Sequence, residues 1–100
     1  MPKLYEYLGI ILFFYSNEHE PIHVHARSGE YESKAEIIIV NKEVKEVIIT
    51  NVKGKKPIKG KELNNLKVFL KHYADAIVEK WIDYFVYHKE IDFEKITKKL

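Results

Sequence analysis

Cysteine and glutamine are missing from this chain, and arginine occurs once, as Arg27. Without cysteine there can be no disulfide framework and no thiolate metal site. Any metal would have to be held by imidazole and carboxylate groups, which leaves hard or borderline divalent ions such as zinc, manganese or iron as the candidate cofactors. Long apolar runs are missing too. The stretch from Leu8 to Tyr15 is far too short to span a bilayer, and Met1-Pro2-Lys3-Leu4-Tyr5-Glu6 has no basic region leading into a signal-type core. A cytoplasmic protein with no membrane partner is expected. The sequence contains no G-x-S-x-G elbow, no P-loop, no G-x-G-x-x-G and no His-Glu-x-x-His helix, so the enzyme classes those motifs define are unsupported.

What is abundant is lysine, glutamate and isoleucine. Sixteen of the 17 basic residues are lysine, a bias resembling that of hyperthermophile proteins, although an AT-rich genome produces much the same composition. With 100 residues, 46% of them apolar, the chain can form one core and is read as a single α+β domain over residues 1–100. A net charge of +2 does not by itself announce a nucleic-acid partner.

The run Gly9 to Tyr15, rich in β-branched and aromatic residues and bounded by Ser16-Asn17, reads as a buried strand. After Pro21, Ile22, Val24 and Ala26 alternate with His23, His25 and Arg27, which is the period-two pattern of a strand with two unlike faces. A turn at Ser28-Gly29-Glu30 leads to a third strand over Ser33–Val40, and Asn41-Lys42-Glu43 joins it to a fourth over Val44–Thr50. Strands at about 8–50 thus predict a four-stranded, mainly antiparallel meander. A lysine-rich loop follows at 51–60, and a helical region at about 61–100. Leu63, Leu66, Leu70, Tyr73, Ile77, Trp81 and Tyr84 recur at spacings of three and four, giving a stripe that would cover one face of the sheet. The helix is expected to run from Lys61 to about Tyr87 with a break near His72 to Asp75. A last short helix is expected from Asp92, as its N-cap, to Leu100. Trp81 should be the central packing residue, its indole N–H hydrogen-bonded if buried.

The chemically distinctive segment is Glu18-His19-Glu20-Pro21-Ile22-His23-Val24-His25. On a strand, His23 and His25 project from one face while Ile22 and Val24 point the other way. With His19 and Glu20 just upstream, the set His19, Glu20, His23 and His25 can supply three or four N/O ligands to a divalent metal. Without a metal, His23 and His25 can act as general base and general acid in phosphodiester cleavage, with Arg27 or Lys34 stabilising charge on phosphate. The plainer alternative is that they are solvated or hydrogen-bonded side chains on the exposed side of an edge strand. Burial in the apolar core is disfavoured, because the interleaved residues claim that face.

Lys53, Lys55, Lys56, Lys59 and Lys61 fall within nine residues with no acid among them, a spacing that can follow the phosphates of RNA or DNA. A merely solvated loop is the alternative. Of the tyrosines that could stack on bases, several fall on the helical stripe and read as core.

The run Gly9-Ile10-Ile11-Leu12-Phe13-Phe14-Tyr15 followed by Glu18 to Ala26 resembles a small prokaryotic family, the domain of unknown function DUF4160. Its members show a strand, an Asn/Asp-His-x-Pro-Pro-His-x-His-Ala segment, an acidic-tipped strand and a C-terminal helical region with a Trp near its end. His19, Pro21, His23, His25, Ala26 and Trp81 match that pattern, and the resemblance runs from Leu4 to about Tyr87. Ile22 replaces the second proline, and Lys56-Pro57-Ile58-Lys59-Gly60 replaces a Gly-x-Leu-Pro lead into the helix. The resemblance implies a component of a toxin–antitoxin-type gene pair and brings no catalytic residue with it, only His19, His23 and His25 as candidates. Three functional expectations follow. The first is a module acting through a small protein partner or self-association, using the sheet face opposite the helix. The second is a metal- or histidine-dependent phosphodiesterase acting on RNA, and the third a non-catalytic nucleic-acid-binding module using the lysine loop.

Overall fold

The computed structural model describes residues 2–17 and 21–100. Five strands follow one another as antiparallel neighbours: β1 (Lys3–Tyr7), β2 (Ile10–Phe13), β3 (His23–Ser28), β4 (Tyr31–Val40) and β5 (Glu43–Asn51). Three of the connections are two-residue hairpin turns with the φ signs that the strands' right-handed twist demands. Leu8-Gly9 and Asn41-Lys42 have positive φ at both residues, the type I′ pattern, and Gly29 alone carries positive φ in its turn, the type II′ pattern. The helix α1 (Gly60–Trp81) then crosses the sheet and continues as a π-helical turn over Ile82–Val86. The chain ends by adding β6 (Glu94–Ile96) parallel to β1.

The result is an α+β fold with a six-stranded mixed sheet in the order β5-β4-β3-β2-β1-β6, in place of the expected four antiparallel strands. One added strand is β1, whose register sets Tyr5 and Tyr7 beside Leu12 and Ile10. The other replaces the expected helix over Asp92–Leu100. Helix formation there would satisfy only its own backbone. The open edge of β1 offers that backbone partners instead, and side-chain contacts to α1 and β1 hold the tail there. Lys80 Nζ donates to the Asp92 carbonyl (2.6 Å) and pairs with Glu94 (3.0 Å), and Leu100 N–H donates to the Tyr7 hydroxyl (2.9 Å). Asp92 therefore caps no helix, and the helical region ends at Val86.

α1 is unbroken through His72–Asp75. It buries Leu66, Phe69, Leu70, Ala74, Ile77 and Trp81 against Tyr5, Tyr7, Ile10, Leu12, Val24, Ala26, Ala35 and Ile37. Phe69, which the three/four spacing passed over, is the centre of this layer. Its ring meets Tyr5 at 5.3 Å and Tyr7 at 5.2 Å and stacks on Tyr73 at 4.4 Å. Trp81 closes the helix against Phe85, and its buried Nε1 has no hydrogen-bond partner among the described residues, contrary to the expectation for a buried indole. No helix among the described residues is long and apolar enough to cross a membrane.

Candidate functional site

The strand register decides what lies on the face away from α1. β3 is paired on both sides, Phe13 with His25 across β2 and Glu36, Lys34 and Glu32 with His23, His25 and Arg27 across β4. Directly opposite residues share a face, so Phe13, His23, His25, Arg27, Glu32, Lys34 and Glu36 form one polar and aromatic surface. β3 is thus an interior strand, which corrects the edge-strand alternative. The imidazoles do lie on the face opposite the core, as the alternation requires. They are nevertheless buried, with His23 7% and His25 3% exposed.

Their burial is explained by what packs around them. Phe13 stacks on His25 at 5.6 Å, the half-buried Tyr15 ring meets it edge-on at 4.5 Å, and the His23 and His25 rings are 5.2 Å apart. Beneath this layer Glu32 is only 2% exposed. A carboxylate so buried is costly unless its oxygens are hydrogen-bonded. Here His25 Nδ1–H donates to Glu32 Oε2 at 3.2 Å and the Tyr15 hydroxyl donates to the same oxygen at 3.1 Å. The Glu32 backbone is fixed in turn by its N–H donating to the Lys56 carbonyl (2.9 Å), so the lysine loop braces this strand end. His23 Nδ1–H donates to the Pro21 carbonyl at 2.6 Å. A carbonyl and a carboxylate can only accept, so both imidazoles carry a proton on Nδ1 in these bonds, which leaves Nε2 as the nitrogen for proton exchange.

Lys34 and Arg27 share the face with the imidazoles. Lys34 stands opposite His25 in the ladder, and the Arg27 guanidinium lies over the Phe13 ring at 5.3 Å. The site therefore combines two imidazoles in a defined tautomer, a buried carboxylate orienting one of them, and two positive side chains.

His19 and Glu20, the other metal candidates, lie outside the described residues. Among the described residues no three His, Asp or Glu side chains are grouped so as to hold a metal, and the imidazole donors number two. The five loop lysines are all exposed. Their segment docks on the start of β4, with Lys56 pairing loosely with Glu30 (3.8 Å), Lys59 lying over Tyr31 (5.9 Å) and Ile58 N–H donating to Ser33 Oγ (3.0 Å). Two residues escaped the sequence reading, Glu32 and Tyr15. Glu32 was legible in principle. A two-residue turn at Gly29-Glu30 sets Glu32 against Arg27 and hence on the face of His25, whereas a third strand begun at Ser33 leaves it out.

Fold and site together define a small α+β domain carrying a buried imidazole–carboxylate cluster on the sheet face opposite α1. The family described as Domain of unknown function (DUF4160) matches residues 9–82, and the chain belongs to that family. No curated protein matches the chain. No solved structure matches it either.

Proposed function

We propose that this domain is a histidine-dependent phosphodiesterase acting on RNA, with His25 as general base and His23 as general acid. The observation that carries the reading is the bond from His25 Nδ1 to the buried Glu32 carboxylate, which fixes the tautomer that leaves Nε2 basic and stabilises the imidazolium formed when Nε2 takes a proton. His25 Nε2 removes the proton of a ribose 2′-hydroxyl, whose oxygen attacks the adjacent phosphorus. The P–O5′ bond breaks, and protonated His23 gives its Nε2 proton to the departing 5′-oxygen, leaving a 2′,3′-cyclic phosphate and a 5′-hydroxyl. Lys34 and Arg27 offset the charge that builds on the phosphate oxygens. Glu32 and Tyr15 are positioning residues, acting through His25. In this conformation the imidazoles are closed to solvent, so substrate entry requires the Tyr15 ring to move off His25. The exposed lysine loop adds sequence-independent affinity for the RNA backbone.

A divalent metal bound through the two Nε2 atoms fits the same tautomers, since a carboxylate behind a ligating imidazole is the usual supporting arrangement. Among the described residues two imidazoles fall short of the three protein ligands of a catalytic zinc site, and His19 and Glu20 are the candidates for a third. The acid–base reading needs only His23 and His25, whose hydrogen bonds are defined, and therefore leads. An RNA-cleaving domain working in the cytoplasm fits the toxic side of a toxin–antitoxin-type pair, the association the family resemblance implies.

The test is cleavage of a short single-stranded RNA by wild type, His23→Ala and His25→Ala, with and without EDTA, after thermal melts show which proteins are folded at the assay temperature. Wild-type cleavage that survives EDTA and falls by at least about 100-fold in each folded variant is expected. RNA left intact by wild type, or cleavage retained in both variants, contradicts the assignment. Cleavage abolished by EDTA and restored by zinc or manganese transfers the site to the metal reading.

A further inference from the structure

The sheet treats its two edges differently. At one edge β6 is laid along β1 and tethered by Lys80 and Leu100. At the other, β5 has β4 on one side and, among the described residues, no strand on the other. Such an edge presents a row of backbone donors and acceptors ready to pair. Part of it is guarded. The ladder runs from Ile38↔Glu46 to Ile39↔Val44, so Lys45 is bulged out of register and interrupts any straight pairing there. From Glu46 to Thr50 the ladder is regular and the strand is solvent-facing. The side chains on this stretch are poorly covered. Ile48 is 40% exposed on the outer face, and Val47 and Ile49 are only half-buried on the helix face, along a groove of about 510 Å³ between β5 and the Leu70–Ala74 side of α1.

We infer that this edge is a dimerisation surface on which a second copy of the chain pairs its own β5, antiparallel, about a two-fold axis at Ile48. The occupant follows from the self-complementarity of the strand. An axis at Ile48 places Ile48 against Ile48 of the other copy, Val47 against Ile49, and Glu46 against Thr50, so apolar residues meet apolar ones and each carboxylate meets a hydroxyl. Moving the axis to Val47 sets Ile48 against Glu46 and Ile49 against Lys45, and moving it to Ile49 sets Ile48 against Thr50 and Val47 against Asn51. Only the Ile48 axis keeps unlike side chains apart. Because opposite residues then have matching parity, both helices stay on one side, and the two sheets continue into one. Val47 and Ile49 of each copy close over each other under the helices, while Lys67 and Lys71 at the groove rim keep their ammonium groups in water. The inference stands on the edge and the groove and is independent of the histidine site.

The chain lacks cysteine, which makes a direct test simple. The full-length protein should double its mass, by sedimentation equilibrium, as its concentration rises from micromolar to millimolar. Ile48→Lys, at an exposed position that the fold tolerates, should remain monomeric over the same range. Ile48→Cys should form a disulfide-linked dimer under mild oxidation far faster than Val86→Cys, a control at an exposed position outside the edge. A wild type that stays monomeric at millimolar concentration overturns the inference. So does a dimer that survives Ile48→Lys and gives no crosslink at Ile48→Cys.

Discussion

On the face of the sheet under α1, Val24 and Ala26 are buried among Leu12, Ala35, Leu66 and Phe69, and burial of apolar area carries that contact. One residue along the same strand, His23 and His25 are also buried, yet their neighbours are Glu32, Tyr15, Phe13 and each other. The two faces reach similar burial by different means. The first needs only shape and hydrophobicity and tolerates similar side chains of similar volume. The second holds a carboxylate away from water and depends on each donor being in place. A face built only for stability has no need of that arrangement, because a well-packed apolar set of equal size is often as stable as a buried charged pair or more so. That contrast is the main reason to read the polar face as functional.

The sharpest way to break the comparison is to damage each face in turn. Phe69→Ala removes the ring that joins α1 to Tyr5 and Tyr7, and a loss of about 3–5 kcal/mol is expected. Chemical denaturation should show the midpoint falling with little change in slope. Glu32→Ala removes the carboxylate that accepts from both His25 Nδ1–H and the Tyr15 hydroxyl, at about 1–3 kcal/mol. A Glu32→Ala variant as stable as wild type would mean that the polar face is not held by this network.

A smaller effect reports on the apolar face through pH. The Tyr5 hydroxyl is pushed up to about 12 from its ordinary value near 10, first by burial and then by Glu94, Tyr73 and Glu79 around it. The protonated phenol is thus favoured by folding. Its contribution to stability is whole below pH 10 and is lost as pH rises through 10 toward 12, because the unfolded chain releases this proton first. The melting temperature should decline across that window, and Tyr5→Phe should flatten the decline. An identical decline in Tyr5→Phe would assign it to the chain's lysines instead.

The faces also differ in how far they could be read from sequence. Alternation placed Val24 and His25 on opposite sides correctly, because side-chain direction along a strand is a local property. The stripe from Leu66 to Trp81 located α1 for the same reason. Burial of the histidines was not legible: the expected meander already placed their strand between two others, but what covers the rings is Phe13, Tyr15 and Glu32, side-chain contacts from other parts of the chain. The first strand was lost because five residues with two buried tyrosines give too short a pattern. β6 was lost because the sequence around Asp92 has a helix-start signal, and only the open edge of β1 and the Lys80 tether override it. A two-residue turn at Gly29-Glu30 starts the strand at Tyr31 and so sets Glu32 opposite Arg27, on the face of His25.

The central claim is that the Glu32–His25 pair serves a reaction and not merely the fold, and the variant that separates the two is Glu32→Gln. Glutamine keeps the size of the side chain and can still accept a hydrogen bond, so the melting temperature should shift by only a few degrees, while the charge that stabilises the His25 imidazolium is gone. The rate of RNA cleavage by Glu32→Gln, measured against wild type at a temperature where both are folded, is predicted to fall by at least about tenfold with the Michaelis constant little changed. An unchanged rate in the folded variant would contradict the account and leave the cluster as a device for burying one face of the sheet.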